Sequence, residues 1–164
     1  MKILKYIKDN NIEEVKKLID SIDLNNEYYL DITPLILASS YNHKEKVKLL
    51  INSKVDLNKR NIHGETALII ASYGNHKEIV KLLINSKVDL NIQDNVGMTA
   101  LMWASEANHK EIVELLIISG ADLNIKNKIG IKAIDFNEDK KIFDLNRIKL
   151  KKRKQNLHKI LKYV

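Results

Sequence analysis

The chain has 164 residues with no cysteine, one proline and five glycines, and its 28 Lys and Arg outnumber its 21 Asp and Glu to give a formal net charge of +7. Without cysteine it can form neither disulfides nor thiolate metal sites, so nothing ties it to an oxidising compartment. No apolar run approaches the roughly 18 residues of a membrane-spanning helix, and the N-terminus alternates Lys with apolar residues where a secretory signal needs an unbroken apolar stretch, so a soluble, unprocessed, cytoplasmic protein is expected.

In chain order, residues 1–8 place Ile3, Leu4 and Ile7 on one side and Lys2, Lys5 and Lys8 on another, which predicts a first helix with one buried face. Residues 10–19 predict a second helix with Ile12, Val15, Leu18 and Ile19 inward. Three near-copies of one segment then begin at Thr33, Thr66 and Thr99, a spacing of 33 residues. So strict a period signals a stack of like structural units, each burying its apolar face against its neighbours.

Each unit carries its own start and stop signals. Thr33, Thr66 and Thr99 precede a short helix, where a hydroxyl can accept a backbone N–H, and Pro34 follows at the helical position that needs no donor. Asn42, Asn75 and Asn108 fall where the chain must reverse, a place for a left-handed residue. The second helix, read on residues 76–84, carries Ile79, Val80, Leu82 and Leu83 as an apolar stripe, with Lys77, Glu78 and Lys81 facing water. Asp-Leu-Asn at 56–58, 89–91 and 122–124 and the glycines Gly64, Gly97 and Gly130 are turn chemistry. With Asp94 and Gly97 around a two-residue tip, the linker is expected to project sideways as a hairpin-like finger.

These residues resemble the ankyrin repeat: D-x-x-G-x-T-A-L at 94–101, Ala104, Asn108 and His109, Ile112 and Val113, Leu115 and Leu116, and Gly120 through Asn124. The resemblance covers residues 1–136 and implies an all-α solenoid of about five units, each a helix-turn-helix with a hairpin-like loop. On this reading residues 1–137 form the repeat domain. A cap repeat spans 1–25, full repeats span 26–58, 59–91 and 92–124, and a degenerate repeat starts at 125–137. Residues 138–164 are a basic C-terminal helix or tail that completes the cap. Lys54 and Lys87 stand where the family has glycine, and Asp31 stands where later units have Gly64 and Gly97. A left-handed conformation costs a non-glycine residue about 1–2 kcal/mol, so those turns are expected to be strained or differently shaped.

The resemblance also implies a non-enzymatic module that binds a protein partner through finger tips and first helices. The family's contact positions fall on Tyr29, Ile32, Ser40, Tyr41, Ile62, His63, Glu65 and Tyr73, then on Asn95, Val96, Met98, Glu106, Lys128 and Ile131. No catalytic, cofactor or metal site is expected. His43, His76 and His109 recur in step, but one zinc needs all its ligands within about 2 Å, and units of such a stack lie about 10 Å apart. Each is expected to bond locally to its own turn instead. Trp103, whose sister residues are Leu37 and Ile70, reads as core, with partner anchoring as the alternative.

Residues 138–164 hold ten Lys or Arg against three acids, while residues 1–137 hold 18 of each, so the whole excess charge lies in the tail. Phe143, Leu150, Leu157, Leu161 and Val164 lie near one helical stripe, the pattern of a basic amphipathic helix. Its alternative function is attachment to a polyanion, nucleic acid or an acidic membrane, through Arg147, Lys149, Lys151, Lys152, Arg153 and Lys154. Otherwise it is a solvated cap. Both ends carry capping patterns, so a monomer is expected.

Overall fold

The computed structural model describes residues 2–9, 11–19, 32–53, 55–137 and 139–144. Lys54, Asp31, Tyr29 and the six basic tail residues named above lie outside them. The described helices are α1 (Lys2–Lys8), α2 (Ile12–Ile19), α3 (Pro34–Ser40), α4 (Lys44–Asn52), α5 (Ala67–Tyr73), α6 (Lys77–Asn85), α7 (Ala100–Glu106) and α8 (Lys110–Ile118). Two 3-10 helices follow, Ala133–Phe136 and Lys140–Phe143. No strand occurs among the described residues.

Short helices need strong ends, and these have them. The hydroxyls of Thr33, Thr66 and Thr99 accept from the amides of Ile36, Ile69 and Met102 at 3.2–3.3 Å, answering one of the donors that a helix start leaves open. At the other end Asn42, Asn75 and Asn108 take φ between 56° and 59°. The amides of His43, His76 and His109 then reach back to the carbonyls of Ala38, Ala71 and Ala104 at 2.9 Å. That bond closes the first helix and aims the second back alongside it.

The first helices stack in one row, α1, α3, α5 and α7, and the second helices stack behind them as α2, α4, α6 and α8. The front row packs more closely than the back row, because its stacking positions carry Ala38, Ala71 and Ala104, all fully buried. The core is almost wholly aliphatic, with Leu35, Leu50, Leu68, Ile79, Leu83, Leu101, Ile112 and Leu116 buried. The outer helices meet water with charge, as in the Lys44–Glu78, Lys77–Glu111 and Lys81–Glu78 pairs.

In the last unit Lys132 stands where a threonine caps the earlier helices, and only a 3-10 turn forms over Ala133–Phe136. Asp135 substitutes from inside the turn, its Oδ2 accepting from the Lys132 amide at 2.9 Å. Phe143, placed by sequence on the stripe of an amphipathic helix, is instead buried with Ile142 in the 3-10 helix Lys140–Phe143 that packs on α8.

Two lysines depart from the repeat. Lys87 takes a left-handed φ of 61° at the position where the next unit has Gly120, at 97°. Lys46 stands where the sister units have Ile79 and Ile112, and it is 1 % exposed. Its Nζ donates to the carbonyls of Tyr6, at 3.0 Å, and Ile7, so an ammonium caps the C-terminal end of α1, where helix dipoles favour positive charge. Burial pushes the Lys46 ammonium below its ordinary value of 10.5, with the Asp9 carboxylate acting in the opposite direction.

Lys87→Gly relieves about 1–2 kcal/mol of left-handed strain and returns about 0.4–1 kcal/mol of chain freedom to the unfolded state. A net gain of about 0.5–1 kcal/mol in urea unfolding is expected, whereas Gly120→Ala, with open space around its added Cβ, loses stability by strain alone. Lys46 yields a pH signature. Its folded pKa lies below its unfolded one, so the unfolded chain holds more protons and stability rises with pH from the lowered value up to 10.5. Urea midpoints measured from neutral to alkaline pH should show this rise in the parent and lose it in Lys46→Met.

Candidate functional site

The fingers between units are closed hairpins. The amides of Asn61, Asp94 and Asn127 donate to the carbonyls of Glu65, Met98 and Ile131 at 2.9–3.0 Å, and those of Gly64, Gly97 and Gly130 donate back to Asn61, Asp94 and Asn127. Each glycine has φ between 78° and 83°. Gly97 is doubly required, because a Cβ there would sit 2.7 Å from the Lys128 backbone nitrogen. The side chain that opens each finger fastens it from within: Asn61 Oδ1 accepts from His63 and Glu65, Asp94 Oδ1 from Val96 and Met98, and Asn127 Oδ1 from Ile129 and Ile131.

Neighbouring fingers are also joined. The Asn95 amide donates to the His63 carbonyl at 2.9 Å and the Lys128 amide to the Val96 carbonyl at 3.2 Å. Arg60 and Gln93 lie at the same place in successive units. Arg60 binds Gly64 O and Asn95 Oδ1, and Gln93 binds Gly97 O and Lys126 O. The tips therefore form one continuous shelf beside the row of first helices.

Among the described residues, the large apolar side chains left exposed are Tyr41, Ile62, Tyr73, Val96 and Ile129, from 42 % for Ile62 to 78 % for Ile129. Ile62, Val96 and Ile129 occupy finger tips, and Tyr41 and Tyr73 occupy the ends of α3 and α5. All five thus lie along the one face that the resemblance points to, and Ser40, His63, Asn95, Glu106 and Lys128 are exposed with them. Ile32 and Ile131 are half-buried. Glu65 is half-buried too, its carboxylate accepting from Asn61 Nδ2 at 2.7 Å, so it braces a finger. Met98 is only 4 % exposed and forms floor, not contact surface.

Trp103 lies between core and surface. It is half-buried beside the core, its Nε1 donates to Asp94 Oδ2 at 2.8 Å, and its ring meets Tyr73 edge-on at 5.3 Å. With Val96, Ile129 and Phe136 it walls a groove of about 410 Å³ above Met98. Sequence reasoning passed over Ile129 and Phe136. The signal for Ile129 was present, because it is the sister of Val96.

The histidines correct an expectation. Their amides close their own turns, but the rings do not bond there: Nε2 of His43, His76 and His109 meets the carbonyls of Lys8, Ser40 and Tyr73 of the preceding unit at 3.4, 3.3 and 2.9 Å. A carbonyl only accepts, so Nε2 carries the proton. They are staples between units, and no group of three or more metal-capable side chains occurs among the described residues.

Asp94 ties the shelf to the helix row through three donors, two of them backbone amides. Asp94→Ala leaves the Met98 amide and the Trp103 indole without acceptors, and a loss of about 3 kcal/mol in urea unfolding is expected. Trp103, the only tryptophan, should report it by red-shifted fluorescence. Asp94→Asn should lose less, since an amide oxygen still serves the finger.

The family model for ankyrin repeats, in three copies, matches residues 3–94 and 53–127. A search of the curated proteins finds no significant match to the chain. The matched residues carry the paired helices, Thr caps, left-handed Asn turns and glycine-tipped fingers described above, and the chain belongs to the ankyrin repeat family.

Proposed function

We propose that this protein is a non-catalytic module that captures a protein partner on the face made by its finger tips and first helices. Ankyrin repeats are in general protein-interaction modules. The observation that carries the reading for this chain is the sorting of its exposed apolar side chains. Tyr41, Ile62, Tyr73, Val96 and Ile129 all lie on that face, whereas the back row of helices shows charge. Exposed apolar surface in a line, rimmed by polar groups such as Ser40, His63 and Asn95, is the composition of a protein interface, and tyrosines supply large contact area at low conformational cost.

The shelf also supports rapid, rigid capture. Its backbone is fixed by bonds within and between fingers, so little ordering entropy is spent on binding and the tip side chains alone adapt.

Replacing Tyr41 and Tyr73 together by Ala should weaken partner capture from source-cell lysate about tenfold or more while leaving the urea midpoint near that of the parent. Retained capture at low and high salt, with both tyrosines gone, would place the contact elsewhere. Binding that vanishes at high salt in the parent itself would point to the basic tail and a polyanion.

A further inference from the structure

Two adjoining hollows lie at the C-terminal end of the face. The first is the apolar groove of about 410 Å³ walled by Val96, Trp103, Ile129 and Phe136. The second, about 370 Å³, is polar and is bordered by Asn108, Lys110, Asn137 and Asp139. Glu106 and Phe136 line both, so the two are continuous across the end of α7. Glu106 is exposed, and the described residues offer it neither a hydrogen bond nor an ion pair, unlike Glu45, Glu78 and Glu111 on the back row. Asn137 is buried in the polar hollow's floor. Its Oδ1 accepts from the Asp139 amide at 2.9 Å, and among the described residues its Nδ2 finds no acceptor.

We infer that these hollows receive a segment of the partner protein in which a large apolar side chain stands beside Lys or Arg; the inference rests on the interaction-face reading above. The apolar side chain fills the groove against Trp103 and Phe136, where burial supplies the affinity. The neighbouring cation lies along the Phe136 ring and meets the free Glu106 carboxylate, an arrangement that combines ring and charge attraction. Lys128 lines only the apolar groove, and within the polar hollow Glu106 and Asp139 outnumber the single ammonium of Lys110, so an acidic residue of the segment placed in that hollow meets two carboxylates and is rejected. A main-chain carbonyl laid across the hollow is the acceptor that the Asn137 amide lacks.

The test uses the full chain and a random peptide library displayed on phage, with enriched sequences then synthesised. Because Trp103 is the only tryptophan, the chain has one indole N–H signal in a proton–nitrogen correlation spectrum, and it reports from the groove wall. Enriched peptides should pair Leu, Phe, Met or Trp with an adjacent Lys or Arg and should move the indole signal. They should lose about tenfold or more in affinity for Glu106→Lys, an exposed substitution that leaves the fold intact. Val96→Asp, which places charge on the groove wall, should lose binding as well.

Enrichment of apolar–acidic peptides, or equal affinity for parent and Glu106→Lys, overturns the inference. Peptides lost with Tyr41→Ala and Tyr73→Ala but kept by Glu106→Lys and Val96→Asp also overturn it, and leave the interaction face standing. If the indole signal of the unliganded chain moves when Arg147, Lys149, Lys151 and Lys152 are all changed to Ser, the occupant is the chain's own tail, and a partner segment is excluded.

Discussion

Everything in this structure depends on burial between neighbours. A seven-residue helix such as α5 is too short to persist by itself, and one unit of this chain has no interior of its own. Ala71 and Leu68 become buried only because α3 lies on one side and α7 on the other. The 33-residue period is therefore a condition on stability as well as a pattern. A unit one residue longer would rotate its stripe out of register with both neighbours. The devices that fix register are accordingly the most uniform: the Thr caps, the left-handed Asn turns, the glycine finger tips, and the histidine staples that span from each unit to the one before.

The local parts of this design were legible in the sequence. Thr66 caps because its hydroxyl lies within its own turn, and Asn75 turns left because the chain must reverse within one residue. Both need only their immediate neighbours. What escaped was whatever depends on the next unit. His76 was expected to serve its own turn, but its ring nitrogen finds Ser40 O, 36 residues earlier, a neighbour set by the stacking distance. Asn58 and Asn91 read as turn residues, and each does more: Oδ1 of one accepts from the Asp89 amide and Oδ1 of the other from Asp122, so the turn of one unit holds the turn of the next. Lys46 was visible as the one base in a column of isoleucines, yet its acceptors are carbonyls of α1, and no pattern within its own unit names them.

The candidate face was legible in part for the same reason. Positions that differ among sister units, such as Ser40, Tyr73 and Glu106, could be read as surface because nothing structural constrains them. Met98 could not be separated from them by sequence, since its neighbours Val96 and Thr99 are respectively exposed and buried. Trp103 required the fold outright. Its indole nitrogen finds Asp94 only because the finger folds back over the helix that follows it, which converts a residue of core size into one that is anchored at one end and presented at the other.

That anchoring explains how a repeat stack can diversify without losing its fold. The shelf is held by backbone bonds and by the side chains of Asn61, Asp94 and Asn127, with Asn95 also bridging to the finger before it, so the other tip side chains are left free of structural duty. Ile62, Asn95 and Lys128 occupy one position in three units and are chemically unrelated. Along the face, then, polarity can change from one unit to the next at little cost in stability. On the interaction-face reading proposed above, a partner would be recognised by a sequence of local environments: tyrosine at the ends of α3 and α5, an aromatic groove at α7, and the Glu106 carboxylate, unpaired among the described residues, at its end. Specificity in such a surface comes from the order of these environments, which the strict period holds at fixed spacing. The invariance of the scaffold is what makes the variation at its tips informative.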